Sequence, residues 1–200
     1  MAKNLDILLA EDEYLSLLGI KVDLEELGHN VIAEATDGEE AVELAVSKEP
    51  DLIVMDINMP SLDGIEAIAR INEKLIIPSI IVTGYDDENL IQRASEQGVF
   101  NYLVKPIDIK DLKAAIELTL ARFEEFNQIR SELKDAKKAL ESRKYIERAK
   151  GILMDKKSLK EAEAMRRLQQ MSRNNNLKLV KLAKKIIEAD ELFDELKNDY

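Results

Sequence analysis

The sequence predicts an α/β fold in its first part, a (βα)5 doubly wound parallel sheet. A long coiled-coil helix and a small three-helix all-α domain follow. Three observations lead there. Short apolar runs alternate with helix-length stretches five times in the first 120 residues. After Pro106 no proline recurs and glycine appears only at Gly151, so nothing obvious stops a long helix. The last third holds three apolar-periodic segments separated by polar turns.

The strand candidates are Ile7-Leu8-Leu9, Val31-Ile32-Ala33, Leu52-Ile53-Val54-Met55, Ile80-Ile81-Val82 and Tyr102-Leu103-Val104. They are continuous rather than alternating, as strands buried on both faces of a parallel sheet are. Between them, Leu17, Ile20, Leu24 and Leu27 share one helical face, and Gly28 is a stop signal. Asp37 and Gly38 open a second helix that ends near Lys48, before Pro50. Asp108 is placed to cap the long helix. Two seven-residue series run along that helix. One is Leu112, Thr119, Phe126, Leu133 and Leu140; the other is Ile109, Ile116, Phe123, Arg130, Lys137 and Lys144. They predict a coiled-coil seam, apolar at its start and mixed later. In a parallel dimer Arg130, Lys137 and Lys144 would face their symmetry mates.

The long helix is expected to reach about Met154, carrying Ile146, Ala149, Ile152 and Leu153. Ser158 and Glu161 have capping-box spacing and open a helix with Leu159, Ala162, Met165 and Leu168. Asn174-Asn175-Asn176 signals a turn. A last helix carries Leu177, Leu182, Ala183, Ile186 and Ile187.

Composition narrows the function classes. The chain has 200 residues, 46% of them hydrophobic, enough for a sizeable core. Cysteine is absent, which excludes disulfides and thiolate chemistry and favours a reducing compartment. No apolar run is long enough to span a membrane, so a soluble cytoplasmic protein is expected. The single histidine, His29, excludes a multi-histidine metal site and reads as a loop residue. The net charge of −11 is unevenly spread. Residues 1–120 hold 9 basic and 25 acidic side chains, whereas residues 143–185 hold 14 basic and 4 acidic. From Glu188 onward six acids meet one lysine. An acidic first half and a basic island point to modules with different partners, the island suiting a polyanion.

In a doubly wound sheet, ligands bind beyond the carboxyl ends of the strands. Those ends carry Glu11-Asp12-Glu13, then Asp56, Thr83-Gly84 and Lys105-Pro106. Carboxylates, a hydroxyl and an ammonium together suit a hard cation and a phosphoryl group, with aspartate as nucleophile. The stretches ILLAEDE, DLIVMDINMPSLDGIEAI, IIVTGYD and FNYLVKPI, spanning residues 4–118, resemble the receiver domains of two-component response regulators. The resemblance implies a flavodoxin-like fold with Asp56 as phosphoacceptor. It implies Mg2+ held by Asp12, Asp56 and the carbonyl of Asn58, with Glu11 acting through a water. Thr83 and Lys105 would meet the phosphoryl oxygens, Tyr102 would be the reorienting aromatic, and the Lys105–Pro106 bond would be cis. Glu11 stands where an aspartate is frequent. Such a protein is not an enzyme beyond self-catalysed phosphoryl transfer, and its partner is a histidine kinase.

The stretch IERAKGILM, a spaced helix ending LQQMS, and NNNLKLVKLAKKII are similar to the ANTAR domain, a three-helix RNA-binding module of transcription antiterminators. Met165 stands where an aromatic is frequent, and Leu177 where a polar residue is frequent. The resemblance implies RNA hairpins in nascent transcripts as ligand; the heptad seam beside a phosphorylated receiver predicts a homodimer on phosphorylation. Lys150, Arg166, Arg173, Asn176, Lys178 and Lys181 are the candidate contacts. Domains are expected at 1–120 (receiver), 109–145 (connector helix), 143–190 (ANTAR) and 189–200 (acidic tail). A DNA-binding regulator and a protein-interaction adaptor remain as alternatives at this point.

Overall fold

The computed structural model describes residues 4–84 and 88–198; side chains of residues 88–91 and 194–198 are left aside. Tyr85 and Asp86, at the end of one receiver-like stretch, lie outside the described residues. The chain divides into two compact units, residues 1–127 and 128–200.

The first unit is a five-stranded parallel sheet in the order β2-β1-β3-β4-β5. Its strands are β1 (Asp6–Ala10), β2 (Asn30–Ala35), β3 (Leu52–Asp56), β4 (Ser79–Thr83) and β5 (Asn101–Val104). Its helices are α1 (Tyr14–Glu26), α2 (Gly38–Lys48), α3 (Gly64–Asn72), α4 (Glu88–Glu96) and the start of α5 (Ile109–Lys157). Side chains alternate across the sheet, so β1 to β4 each feed two cores, while β5 contributes Leu103 to one. Leu8, Ile53, Met55 and Ile81 meet Ala41, Ala45, Ile65 and Ile68 of α2 and α3. Ile7, Leu9, Val54 and Ile80 meet Leu17, Ile20 and Leu24 of α1 and Leu112, Ala115 and Ile116 of α5. Strands β3 and β4 are buried throughout, whereas the edge strands β2 and β5 alternate, because an edge strand has one neighbour and thinner helix cover.

Local sequence sets the helix starts. Asp37 accepts the Glu40 N–H at 2.9 Å and Asp63 the Glu66 N–H at 2.9 Å. Asp108 accepts from Lys110 and Asp111 at 2.7 and 2.9 Å, as the sequence predicts, and those bonds lower its pKa below the ordinary carboxylate value. α1 ends as expected, with Gly28 at φ 87°.

α5 is one helix of 49 residues. Its predicted seam needs correction. Leu112, Ile116 and Thr119 are buried in the core of the first unit, so they serve the sheet and are not open to a second chain. Phe123 and Phe126 both pack edge-on to Phe100. Beyond them the exposed apolar residues are Ile129, Leu133 and Leu140, with Ala136 between. Their 4-3-4 spacing is the heptad stripe, which leaves Arg130 and Lys137 beside it rather than in it.

The second unit packs the last part of α5 with α6 (Glu161–Asn174) and α7 (Leu179–Asn198). Its core is Ala149, Leu168, Leu182, Ala183 and Ile187, edged by Ile146, Ile152, Leu153, Met171, Leu179 and Ile186. The predicted Ser158–Glu161 capping box does not form. Ser158 adopts φ 49°, the left-handed turn that ends α5, and the Glu163 carboxylate instead accepts the Lys160 N–H at 3.2 Å. The acidic run after Glu188 continues α7 as helix up to Asn198. Among the described residues no helix is long and apolar enough to cross a membrane.

Because Ile116 is core, Ile116→Ala should cost about 2–5 kcal/mol in urea unfolding and leave sedimentation unchanged. Leu133→Ala should stay within about 0.5 kcal/mol at monomer concentrations. The reverse pattern would return Ile116 to the seam.

Candidate functional site

Parallel strands put their carboxyl ends on one edge of the sheet, and the register brings specific groups together there. Ala10 pairs with Met55, so Glu11 emerges beside Asp56. Asp56 pairs with Val82, so Thr83 lies one step further along β4. Thr83 pairs with Val104, which places Lys105 just past the end of β5. Ligand oxygens of Glu11, Asp12 and Asp56 lie within 4.8 Å of one another. Glu11, Asp56 and Thr83 are buried, while Asp12 is exposed. Lys105 Nζ donates to Glu11 Oε2 at 2.6 Å and to Asp56 Oδ2 at 3.2 Å. The Ile57 N–H donates to Asp56 Oδ1 at 2.8 Å. The Lys105–Pro106 bond is cis, as expected. Asn58 follows in the exposed turn, and Tyr102 on β5 is 41% exposed, pointing away from the cores.

Two residues were not singled out from sequence. Ser16, one turn into α1, donates its hydroxyl to Glu11 Oε2 at 2.9 Å and fixes that carboxylate. Gly64 opens α3 where an added Cβ would stand 2.0 Å from the carbonyl oxygen of Asp56. Only glycine lets the helix start so close to the end of β3. Asp63-Gly64 stands in the sequence, but nothing local to it shows what the glycine packs against.

The charges are crowded. Burial, and then the negative charge of Glu11, raise the Asp56 pKa above the ordinary carboxylate value; Lys105 and the Ile57 N–H offset part of this. For Lys105, burial opposes charge, but its hydrogen bond to Glu11 and the charges of Asp56 and Glu11 prevail and raise its pKa. All-oxygen donors, two of them buried, fit a small hard cation that prefers carboxylates and water.

Comparison with known proteins agrees. Residues 7–117 match the response regulator receiver domain and residues 134–187 the ANTAR domain. The transcriptional regulatory protein PdtaR of Mycobacterium tuberculosis is 39% identical over 183 residues, 92% of this chain and 89% of that protein. The chain belongs to the two-component response regulators.

The regulator also resembles the probable chemotaxis protein CheY of Rhizobium etli, 34% identical over 58% of this chain and 93% of that one. Among solved structures, the receiver domain of a modulated diguanylate cyclase from Desulfovibrio desulfuricans superposes with TM-score 0.56 at 33% identity, covering 60% of this chain and 96% of that one. Receiver domains bind Mg2+ at an acidic pocket, and the regulator has such a cluster in Glu11, Asp12 and Asp56.

In the second unit the basic candidates divide. Lys150 is 9% exposed, and its ammonium bridges Glu147 and Glu161, the latter at 2.7 Å. Those two hydrogen bonds raise its pKa, and it ties α5 to α6 rather than facing solvent. Arg148 and Lys156 of α5 pair with Glu191 and Asp190 of α7. Arg166, Arg173, Lys178 and Lys181 are exposed and have no carboxylate partner among the described residues. Arg166 borders a groove of about 640 Å³ with Lys157, Arg167 and Gln170 over Leu153 and Met171. Asn176 holds the α6–α7 turn at φ 51°, and Ser172 donates to the Leu177 carbonyl at 2.5 Å.

In metal-free regulator, Asp56→Asn should raise stability at neutral pH, because it removes a carboxylate that burial and the charge of Glu11 disfavour. An acid whose folded pKa is raised binds more protons folded than unfolded. The wild type therefore gains stability as pH falls from its raised value towards 3.8, and there the difference closes. Urea unfolding at neutral and mildly acid pH measures both; a less stable variant at neutral pH would refute the crowding.

Proposed function

We propose that this regulator is phosphorylated on Asp56 by a histidine kinase, and that as a homodimer it binds RNA hairpins in nascent transcripts to control antitermination. The observation that carries the first half is the buried Asp56 carboxylate between Glu11 and Lys105 at the meeting of four strand ends. An Asp56 oxygen attacks the phosphorus of a phosphohistidine. The P–N bond breaks, its electron pair leaves on the imidazole, which takes a proton, and an acyl phosphate forms. Asp12, Asp56 and the Asn58 carbonyl would hold Mg2+, with Glu11 acting through water. The ion supplies charge neutralisation between carboxylates and phosphate. Lys105 exchanges a carboxylate for a phosphoryl oxygen, and Thr83 donates its hydroxyl to another. Tyr102 then turns inward behind Thr83.

The kinase has a surface to meet. Leu15, Leu18 and Val22 of α1 are exposed on one face, beginning a turn beyond Asp12, and Gly19 lies among them with open space above it. An apolar stripe with a glycine at its centre suits a docked helix. Dimerisation has the stripe Ile129, Leu133, Ala136 and Leu140. RNA binding has the exposed cations of the second unit, with Arg166, Arg173, Lys178 and Lys181 meeting phosphates and Asn176 a loop base. Lys150 contributes through the architecture of the module.

Incubation with acetyl phosphate and magnesium should add one phosphoryl group, and Asp56→Ala should abolish it; normal uptake by the variant would remove Asp56 from its role. Hairpin RNA should bind with a logarithmic salt slope of roughly −0.7 per phosphate met on single strands. Arg166→Gln with Lys178→Gln should flatten that slope, while Leu133→Lys should lower dimer formation and affinity for paired hairpins. Salt-independent binding, or preference for duplex DNA, would overturn the RNA reading.

A further inference from the structure

We propose that a groove between α5 and α7 in the second unit takes one unstacked base of a single-stranded RNA loop, stacked on Tyr145, with Lys138, Lys181 and Lys184 meeting the flanking phosphates. This rests on the RNA-binding reading and names a base-binding subsite within it, outside the residues assigned above except Lys181. The groove has a volume of about 280 Å³ and is lined by Lys138, Glu141, Ser142, Tyr145, Lys181 and Lys184. That is at the small end of ligand pockets, the scale of a single base rather than a folded peptide.

Its chemistry is mixed in the way a nucleotide is mixed. The Tyr145 ring is 36% exposed, and the Lys184 ammonium rests over it, 4.4 Å from the centroid. The cation marks an accessible π face; a base sliding onto the ring would send Lys184 outward to a phosphate. Lys181 has no carboxylate partner among the described residues, and Lys138 has only a loose one in Asp135 at 3.9 Å. Glu141 and Ser142 have none either. A carboxylate repels phosphate but accepts from the amino groups of adenine, cytosine or guanine. The groove therefore favours a base inside and phosphates at the rim. A bare anion or an acidic peptide would bring its charge against Glu141.

Helix geometry keeps the groove available. Lys138, Glu141, Ser142 and Tyr145 share one face of α5. At roughly 100° per residue, Ile129, Leu133, Ala136 and Leu140 lie on the opposite face. A second copy seated on the apolar stripe leaves Tyr145 open.

The test uses the full chain with beryllofluoride and magnesium, and a library of RNA stem–loops with randomised loops. Enriched hairpins should bind Tyr145→Leu roughly five- to one-hundred-fold more weakly, the loss expected for one base–aromatic stack. Tyr145→Phe should bind as the wild type does. With 2-aminopurine placed at each loop position in turn, one position should be quenched by wild type and Tyr145→Phe and not by Tyr145→Leu. If the wild type enriches hairpins but Tyr145→Leu binds them equally and quenches the same position, the groove is not a base site and the RNA reading stands. If no hairpin is enriched, both fall; Tyr145-dependent binding of poly-glutamate in that case would give the groove to an acidic protein.

Discussion

Three carboxylates and one ammonium meet at the end of a parallel sheet, and the first unit is arranged around keeping them there. Glu11 and Asp56 are buried side by side, a repulsion that costs free energy unless a cation answers it. Lys105 answers it in part, donating to both. Ser16 holds Glu11 and the Ile57 N–H holds Asp56, so neither carboxylate can relax away. Gly64 lets α3 begin against the backbone of Asp56, which seats the strand end firmly. A site under such electrostatic load is poised for an incoming cation, because that opposite charge relieves a penalty already present.

The first unit carries this load because its core is generous. Strands β1 to β4 each serve two apolar clusters, and full burial of one leucine or isoleucine is worth about 1.5–3 kcal/mol. The start of α5 belongs to that core through Leu112 and Ile116. The helix that goes on into the second unit is thus anchored by receiver packing. Its exposed stripe begins only once the sheet no longer covers it.

The second unit uses charge differently. On α5, Arg148, Lys150 and Lys156 are matched by acids within the unit. On α6, the turn after it and α7, Arg166, Arg173, Lys178 and Lys181 have no carboxylate partner among the described residues. Exposed pairs add little stability, but each matched pair removes net positive charge where it forms. The Tyr145 groove lies where α7 lysines meet an aromatic ring of α5.

Periodicity and local chemistry alone were enough to read the sheet, the caps at Asp37 and Asp108, the stop at Gly28, and the strand-end groups Glu11, Asp12, Asp56, Thr83 and Lys105. These features depend on near neighbours in the chain, or on the rule that parallel strands end on one edge. Other features depended on which surfaces meet in space. A heptad pattern cannot say whether Leu112 and Ile116 face a sheet or a second helix, since both partners ask for the same apolar residues. A lysine in a basic run reads the same whether free or, like Lys150, clasped by Glu147 and by Glu161 eleven residues on. Ser158 resembled a cap until its backbone took the left-handed turn that ends α5. Nothing local to Gly64 shows that the Asp56 carbonyl lies where its side chain would be. In each case the amino-acid type was compatible with two environments, and only long-range packing selected one.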